Sequence, residues 1–171
     1  SVESVPEIWP IAAQRFGDTI ALHNPHAQPN EVKVTYSELF NQIQQFAAGL
    51  QALGIKPQER ISLIADNSPR WFIADQGIMT AGAVDAVRSS QADVDELAYI
   101  LQNSDSTVLV AQDLATYEKL RPRLNDLPIQ LVILLTEESA PSDEVIKVLN
   151  FKQLMEVGAK HNLEPCKAKR D

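Results

Sequence analysis

The residues best suited to bind a substrate come directly after a predicted β-strand over 84–87. Arg88 and Ser89 open this segment, and a second serine and a glutamine follow them. A guanidinium group beside hydroxyl groups can hold a carboxylate or a phosphate through paired hydrogen bonds. We therefore predict that Arg88 and Ser89 position an anionic group of a substrate. The alternative is a structural ion pair between Arg88 and Asp93 or Asp95.

A second polar group of residues follows the predicted strand over 61–65. It consists of Asp66, Asn67 and Ser68. Open α/β sheets bind ligands beyond the carboxyl ends of their strands, which makes this group a candidate site. The simpler interpretation is that these three residues form a turn and a helix cap. Asp85 interrupts the next predicted strand and needs a hydrogen-bonding partner if it is buried.

The sequence lacks the common motifs of nucleotide binding and of nucleophilic catalysis. It contains neither G-x-x-x-x-G-K-S/T nor G-x-G-x-x-G, and no serine lies in a G-x-S-x-G elbow. Gly77 and Gly82 lie close together, and we predict that they serve helix packing and a helix end. His23 and His26 have a spacing compatible with a metal, but no further histidine or cysteine lies nearby. We therefore predict that these two histidines lie in a solvated loop and bind no metal. We also predict no catalytic residue in this chain.

Four apolar runs at a constant interval predict the sheet that carries both polar segments. The predicted strands cover 61–65, 84–87, 107–111 and 130–135, so their starts lie 23 residues apart. A strand, a helix and two short loops fill such an interval, which indicates consecutive right-handed βαβ units in a parallel sheet. Start signals for helices lie between the runs, such as Ser68 before Pro69 and Asp93 before Glu96.

Further elements are predicted on either side of this sheet. Before it we predict a helix over 6–16 and antiparallel strands over 19–23 and 32–35. A helix then begins at a capping box formed by Thr35 and Glu38, and Gly54 ends its apolar stripe. Between the last two predicted strands we predict a helix over 114–124, weakened by Pro122. After the last strand we predict an exposed loop over 136–144 and a helix over 150–157 closed by Gly158.

Composition excludes several classes of protein. The chain has 171 residues, which suits one domain, and its formal net charge of −8 argues against nucleic-acid binding. Its longest apolar runs fall far short of the roughly 18 residues that a membrane span needs. The N-terminus lacks the pattern of a secretory signal, and the single Cys166 cannot form an internal disulfide. We therefore expect a reducing compartment and assign the protein to the cytoplasm.

Six segments, in order along the chain, carry a family resemblance. They are 16–22 (FGDTIAL), 34–39 (VTYSEL), 48–54 (AGLQALG), 60–68 (RISLIADNS), 77–84 (GIMTAGAV) and 96–100 (ELAYI). Together they resemble the beginning of the acyl-activating, AMP-forming ligases, which include fatty acyl-CoA ligases, luciferases and nonribosomal adenylation domains. Residues 85–91 (DAVRSSQ) depart from the proline-containing strand of the broad family. They are similar to the long-chain fatty-acid ligases that load acyl carrier protein.

The resemblance implies a reaction that this chain does not complete alone. In such enzymes a carboxylate attacks ATP to give an acyl-adenylate, and a thiol then displaces AMP. The family's phosphate loop and its lid lysine are absent from this sequence, so residues 1–171 are expected to be the N-terminal portion of an adenylation domain, ending before that loop. The expected fold is α/β, with βαβ units in a mostly parallel sheet, flanking helices and a short antiparallel N-terminal strand pair, forming an incomplete subdomain of a larger domain.

The resemblance also implies cofactors and partners. The complete enzyme would use ATP and Mg, whereas we expect no cofactor on this fragment. Its partners would be a fatty acid, coenzyme A or acyl carrier protein, and the remainder of its own polypeptide, with peripheral membrane association and no nucleic acid.

Two other classes of function compete with this interpretation. One is a stand-alone regulatory or interaction domain of flavodoxin-like topology, in which Asp66 and Asp85 would be receiver-type acidic residues. Such a domain should have a lysine after its last strand, whereas the last predicted strand here runs into a threonine and two glutamates at 136–138. The other is a small α/β hydrolase, which would need the missing nucleophile motif.

Overall fold

A computed structural model describes residues 20–24 and 32–164 of the chain, with side chains from Thr35 onward. The helix predicted over 6–16 lies outside these residues. In chain order the elements are β1 (Ile20–Asn24), β2 (Val32–Thr35), α1 (Tyr36–Ala52), β3 (Arg60–Ile64), α2 (Pro69–Thr80), β4 (Val84–Arg88), α3 (Val94–Asn103), β5 (Val108–Ala111), α4 (Leu114–Leu120), a 3₁₀ helix (Arg121–Arg123), β6 (Leu131–Leu134), β7 (Lys147–Leu149) and α5 (Phe151–Ala159).

The main sheet has five parallel strands in the order β4-β3-β5-β6-β7. The four strands expected from the constant interval are present, each displaced by at most one residue at either end. β1 and β2 form a separate antiparallel pair. The predicted α/β fold, with its parallel sheet and short antiparallel pair, is therefore confirmed.

Helices cover both faces of the main sheet, and each face has its own apolar core. Along β3, Ile61 and Leu63 belong to a core with α1, α2 and α5, whereas Ile64 belongs to a core with α3 and α4. Alternate strand residues face opposite sides, so burial on both faces requires the nearly continuous apolar strands that the sequence contains. The sheet is thus a layer between two layers of helices.

The first helix of the main fold has the limits that its sequence predicts. Thr35 Oγ1 accepts a hydrogen bond from the Glu38 backbone nitrogen at 3.2 Å, and Glu38 Oε2 accepts one from the Thr35 nitrogen at 3.1 Å. This reciprocal capping box starts α1. Gly54 follows its C-terminal end with φ of +91°, a conformation that glycine adopts without strain.

The C-terminal third differs from the sequence-based expectation in three places. The helix predicted over 114–124 ends at Leu120 and is followed by a 3₁₀ turn. Pro122 accounts for the change, because it lacks the N–H group that an α-helical hydrogen bond needs. β7 follows the exposed loop and was not predicted, since three residues carry too little periodicity. The prediction that Gly158 closes the last helix is wrong, because α5 continues through it to Ala159.

Asp143 holds the long loop that leads into β7. Its carboxylate accepts hydrogen bonds from Arg121 Nε at 2.6 Å and from the Tyr117 hydroxyl at 3.1 Å. It also accepts hydrogen bonds from the backbone nitrogens of Val145 and Ile146, both at 2.9 Å. The Arg121 side chain and these backbone donors hold the pKa of Asp143 far below its usual range. One ionised side chain therefore ties the loop to α4 and the turn after it.

We expect Asp143→Asn to destabilise the protein at neutral pH, because an amide cannot accept all these hydrogen bonds. Since the carboxyl pKa is lowered on folding, its contribution is present above the unfolded value and is lost as the pH falls. The deficit in unfolding midpoint relative to wild type should therefore shrink below about pH 4. Thermal unfolding followed by circular dichroism from neutral to acid pH measures it. Glu144→Gln, at an exposed neighbouring position, is the control, and equal midpoints for Asp143→Asn and wild type at neutral pH would contradict the assignment.

Candidate functional site

The connections that leave β3, β4 and β5 meet at the carboxyl edge of the main sheet. The connection after β3 runs through α2 on one face, and the connection after β5 runs through α4 on the other. Such a reversal between neighbouring strands opens a crevice at their carboxyl ends, which is where open α/β sheets bind ligands. The segments that begin at Asp66 and Arg88 both lie at this edge.

Asp66 is the centre of a hydrogen-bond network that joins these two segments. Its Oδ1 accepts from Ser89 Oγ at 2.6 Å and from the Ser90 backbone nitrogen at 3.2 Å. Its Oδ2 accepts from Ser90 Oγ at 2.9 Å and from Gln91 Nε2 at 3.4 Å. One carboxylate therefore receives four donors from three consecutive residues of the next loop.

Two further side chains extend the network to β5 and α4. Gln112 Oε1 accepts from the Asp66 backbone nitrogen at 2.8 Å and from Ser90 Oγ at 3.3 Å. Lys119 Nζ, on α4, donates to the Ser90 carbonyl at 3.0 Å. Neither Gln112 nor Lys119 is among the candidate residues that the sequence patterns indicate. Gln112 directly follows β5 as Asp66 directly follows β3, and that shared position was the available signal.

The network keeps Asp66 ionised. The hydrogen bond from Ser89 is the main cause that lowers the pKa of Asp66, and donors from Ser90 and Gln91 add to it against the opposing effect of burial. A carboxylate in this state is a poor proton donor at neutral pH. Its chemical role at the edge is that of a fixed hydrogen-bond acceptor.

A cavity of about 320 Å³ opens beside Asp66. Its lining is Asp66, Asn67, Ser68, Pro69, Arg70, Gln112, Leu135 and Thr136. The Arg70 guanidinium donates to the Leu135 carbonyl at 2.8 Å and to Glu137 at 3.1 Å, and it lies 4.4 Å from the centre of the Phe151 ring. The cation beside the cavity is therefore already held by protein groups.

The structure places the two predicted substrate-positioning residues at the carboxyl end of β4. Arg88 is exposed, and its Nη1 donates to the Val87 carbonyl at 2.9 Å. Within the described part of the chain it makes no ion pair with Asp93 or Asp95, and Asp95 instead pairs with Arg123. Ser89, next to it, donates to Asp66. A substrate contact of Arg88 and Ser89 stays a prediction.

Residues 66–68 form the connection between β3 and α2, as the turn-and-cap interpretation predicts, and Ser68 is the cap. Ser68 Oγ accepts a hydrogen bond from the Trp71 backbone nitrogen at 3.0 Å and so caps α2, as the sequence predicts. Asp66 does not cap this helix, since its carboxylate is directed to the neighbouring loop. Trp71 and Phe72 are partly buried and pack against the apolar core on the α2 face.

Asp85 is partly buried beside another carboxyl group. Asp85 lies two residues before Val87 in β4, so the two side chains are on the same face of the sheet. That face packs against α2, the helix that contains Asp75. Its Oδ2 has no hydrogen-bond partner among the described residues. Burial, and then the carboxyl group of Asp75, raise the pKa of Asp85 to about 7. One oxygen of this partly buried carboxyl group thus lacks a donor, and the group next to it is a second carboxyl.

The two glycines singled out in the sequence have structural roles. A Cβ atom on Gly77, within α2, would lie 2.6 Å from Cδ1 of Phe46, so glycine permits this close helix packing. Gly82 follows the end of α2 with φ of +84°. The predicted packing and helix-end roles are confirmed.

Among the side chains that the structure describes, from Thr35 to Glu164, no three histidine, cysteine or acidic groups come together as a metal site would require. The side chain of His23, which lies in β1, is not among them. His26 and Cys166 lie outside these residues. Every helix in the same part of the chain is too short or too polar to span a bilayer.

Curated relatives of this chain are named ligases. A chloroplastic long-chain-fatty-acid–acyl-carrier-protein ligase of Arabidopsis thaliana is 45% identical over 111 residues, which is 65% of this chain and 15% of that protein. A crotonobetaine/carnitine–CoA ligase of Salmonella paratyphi A is 28% identical over 154 residues, which is 89% of this chain and 29% of that protein. The chain therefore spans less than a third of the length of either relative.

Solved structures share the fold. A long-chain-fatty-acid-CoA ligase from Archaeoglobus fulgidus superposes with a TM-score of 0.76 at 20% identity, covering 94% of this chain and 30% of that chain. The A domain of a carboxylic acid reductase from Segniliparus rugosus superposes with a TM-score of 0.81 at 15% identity, covering 97% and 32%. At these identities the likeness concerns the fold alone.

The family match runs through nearly all of the chain. Residues 10–169 match the AMP-binding enzyme family, so the match includes the main sheet and the Asp66 network. A stand-alone flavodoxin-like regulatory domain is not favoured by this result. The resemblance noted in the sequence is therefore confirmed, and the chain belongs to the AMP-binding enzyme family, as part of an acyl-activating, ligase-like domain.

Proposed function

We propose that this chain is the N-terminal portion of the adenylation domain of an ATP-dependent fatty-acid ligase. The reaction would join a fatty carboxylate to the α-phosphate of ATP with loss of pyrophosphate, and a thiol would then take the acyl group with loss of AMP. The 45% identity to a fatty-acid–acyl-carrier-protein ligase, within the family match over 10–169, is the observation that carries this proposal.

In this proposal the chain supplies one wall of the ligand crevice and leaves the phosphate chemistry to other parts of the polypeptide. The described residues do not fit ATP and Mg, because Asp66 is surrounded by protein donors and the Arg70 side chain is paired with Glu137. The sequence also contains no glycine-rich phosphate loop. We therefore propose that residues 1–171 precede that loop and are inactive by themselves.

The first test compares this chain with the complete polypeptide that carries it. We expect ATP- and fatty-acid-dependent pyrophosphate release from the complete polypeptide and none above background from the 171 residues, because no preorganised groups stabilise charge at the α-phosphate. A panel of saturated fatty acids and short carboxylates would also define the substrate class. Steady turnover by the 171 residues would contradict the proposed inactivity, and an inactive complete polypeptide would contradict the ligase assignment.

The second test concerns Arg88 in the complete polypeptide. We expect Arg88→Ala to lower kcat/KM for acyl activation about tenfold, the effect of losing a charge-assisted contact. Lysine at this position should restore activity only in part if the contact is a bidentate fork. Arg123→Ala, which removes an exposed ion pair with Asp95, is the matched control. Wild-type kinetics for Arg88→Ala would remove Arg88 from the site.

The acceptor and the compartment belong to the same proposal. The Arabidopsis relative is named for acyl carrier protein and the Salmonella relative for coenzyme A. We propose acyl carrier protein as the acceptor, since the acyl-carrier-protein ligase is the more similar of the two, and a thiol-exchange assay with both acceptors tests it. The cytoplasmic assignment stays a prediction beside a relative that is chloroplastic, and peripheral membrane association is likewise untested.

A further inference from the structure

We propose that Asp66 is a positioning residue that holds residues 88–91 in the conformation in which they meet the substrate; this inference rests on the ligase function proposed above. Asp66 itself lies beside the crevice, but its carboxylate is occupied by Ser89, Ser90 and Gln91. Its effect on the reaction would therefore pass through that neighbouring segment.

The pattern of donors sets Asp66 apart from an ordinary turn residue. An aspartate in a turn accepts hydrogen bonds from its own loop. The four donors to Asp66 come from residues 23 to 25 positions later in the chain, on the adjacent strand's connection. The Ala65 nitrogen also donates to the Arg88 carbonyl at 3.1 Å. The backbone ladder thus reaches Arg88, and the Asp66 carboxylate continues it to Gln91.

The segment that Asp66 holds has little other support. Arg88, Ser89 and Gln91 are exposed, and only Ser90 is buried. Exposed loops with few apolar contacts open at low free-energy cost unless hydrogen bonds hold them. In the described structure the other side-chain ties to this segment are Lys119, which binds the Ser90 carbonyl, and Gln112, which accepts from Ser90 Oγ. Loss of Asp66 should therefore loosen this segment more than it weakens the core.

The chemistry of the network favours a carboxylate at this position over an amide. Every group that faces the two Asp66 oxygens is a donor. Asparagine would keep one accepting oxygen but turn an NH₂ group toward Ser90 and Gln91. Alanine would remove all four bonds. The effects of the two substitutions should be ordered, with asparagine between wild type and alanine.

The experiment uses the complete polypeptide with Asp66→Ala and Asp66→Asn. We expect kcat/KM for acyl activation to fall at least tenfold for alanine and less for asparagine. Hydrogen exchange at the Ser90 amide should become faster, while the midpoint of global unfolding changes little. Asp113→Asn is the matched control, because Asp113 lies after β5 at the same edge and accepts from the backbone nitrogen and hydroxyl of Thr116 in the helix that it caps. In the described structure it accepts no hydrogen bond from residues 88–91, and asparagine also caps helices well.

A double variant separates positioning from a merely structural role. If Asp66 acts by placing Arg88, then Asp66→Ala combined with Arg88→Ala should lose little more activity than the worse single variant. If their losses multiply, or if Asp66→Ala and Asp66→Asn both keep wild-type kinetics and Ser90 exchange, the inference is wrong while the ligase function stands. An inactive wild-type polypeptide would overturn both. Should Asp66→Ala fail to fold, Asp66→Asn supplies the same kinetic and double-variant comparison.

Discussion

Replacing Gly158 with alanine should lower the free energy of unfolding by about 3 kcal/mol, the upper range for overpacking a close contact. A Cβ atom at this position would lie 1.9 Å from the Gln45 carbonyl oxygen of α1. That oxygen is a backbone atom, so no side-chain rotation can relieve the clash. Alanine in a helix interior is otherwise favoured over glycine by about 1 kcal/mol. A loss of stability would therefore report the crossing of two helices and not helix propensity.

The surrounding contacts show that α1 and α5 cannot easily move apart. A Cβ atom on Gly49 of α1 would lie 2.8 Å from the Leu154 carbonyl oxygen. Gln45 Nε2 donates to the Met155 carbonyl at 2.6 Å. Leu154 is fully buried in the core beneath the crossing. Separating the helices enough for an added methyl group would break this hydrogen bond and open the core.

Urea unfolding of wild type, Gly158→Ala and a control measures this effect. Glu156→Ala is the control, because Glu156 is exposed on the same helix and its substitution should change stability by less than about 0.5 kcal/mol. A Gly158→Ala protein as stable as wild type would mean that the two helices do not cross this closely.

Replacing Asp85 with asparagine should stabilise the protein by about 2 kcal/mol near pH 8, well below what the full pKa shift would imply, since partial exposure screens the charge. Burial and the carboxyl group of Asp75 raise the pKa of Asp85 to about 7. Asp85 Oδ2 has no hydrogen-bond partner among the described residues, and a carboxylate beside it has no proton to donate. A protonated Asp85, or an asparagine, can donate to Asp75.

The sign of the pH dependence follows from the direction of the shift. The pKa of Asp85 is about 7 in the folded state and 3.8 without the fold. Between these values the folded state binds more protons than the unfolded state, so the free energy of unfolding falls as the pH rises. Above about pH 7 the cost of ionising Asp85 is fully present, and below about pH 4 it vanishes.

Unfolding experiments across this pH range, on wild type and Asp85→Asn, test the assignment. The two stability curves should meet near pH 4 and separate as the pH rises. Asp126→Asn serves as the control, since Asp126 is exposed and its substitution should leave the pH dependence of wild type unchanged. A constant difference between wild type and Asp85→Asn at every pH would exclude ionisation of Asp85 as its cause.

The sequence alone determined most elements of the fold, with β7 the missing strand, and their arrangement in a parallel sheet. The capping box of Thr35 and Glu38 and the left-handed glycine at 54 depend on residues within one helical turn. The parallel sheet follows from apolar runs at a constant interval, because each βαβ unit repeats nearly the same length of chain. Signals of this kind are local, so they are readable without knowing the fold. The family resemblance also extended over nearly the whole chain.

The sequence predicted only part of the candidate site. Sequence order showed that Asp66 and Arg88 each follow a strand. Only the tertiary structure decided that the carboxylate of Asp66 binds the loop after Arg88, and that Gln112 and Lys119 join it. These contacts depend on which strands are neighbours and in what register, and hydrophobic periodicity does not encode side-chain partners across strands.

The same limit explains Gly158 and Asp85. A glycine near the end of an apolar pattern predicts a helix stop, yet Gly158 lies inside α5 because another helix crosses there at backbone contact. An aspartate in a strand shows only that a partner is needed, whereas the fold places a second carboxyl group, Asp75, in that position. Local sequence thus determined most of the elements that form, and the tertiary structure decided which of their atoms come close enough to exclude a methyl group or to raise the pKa of a carboxyl group.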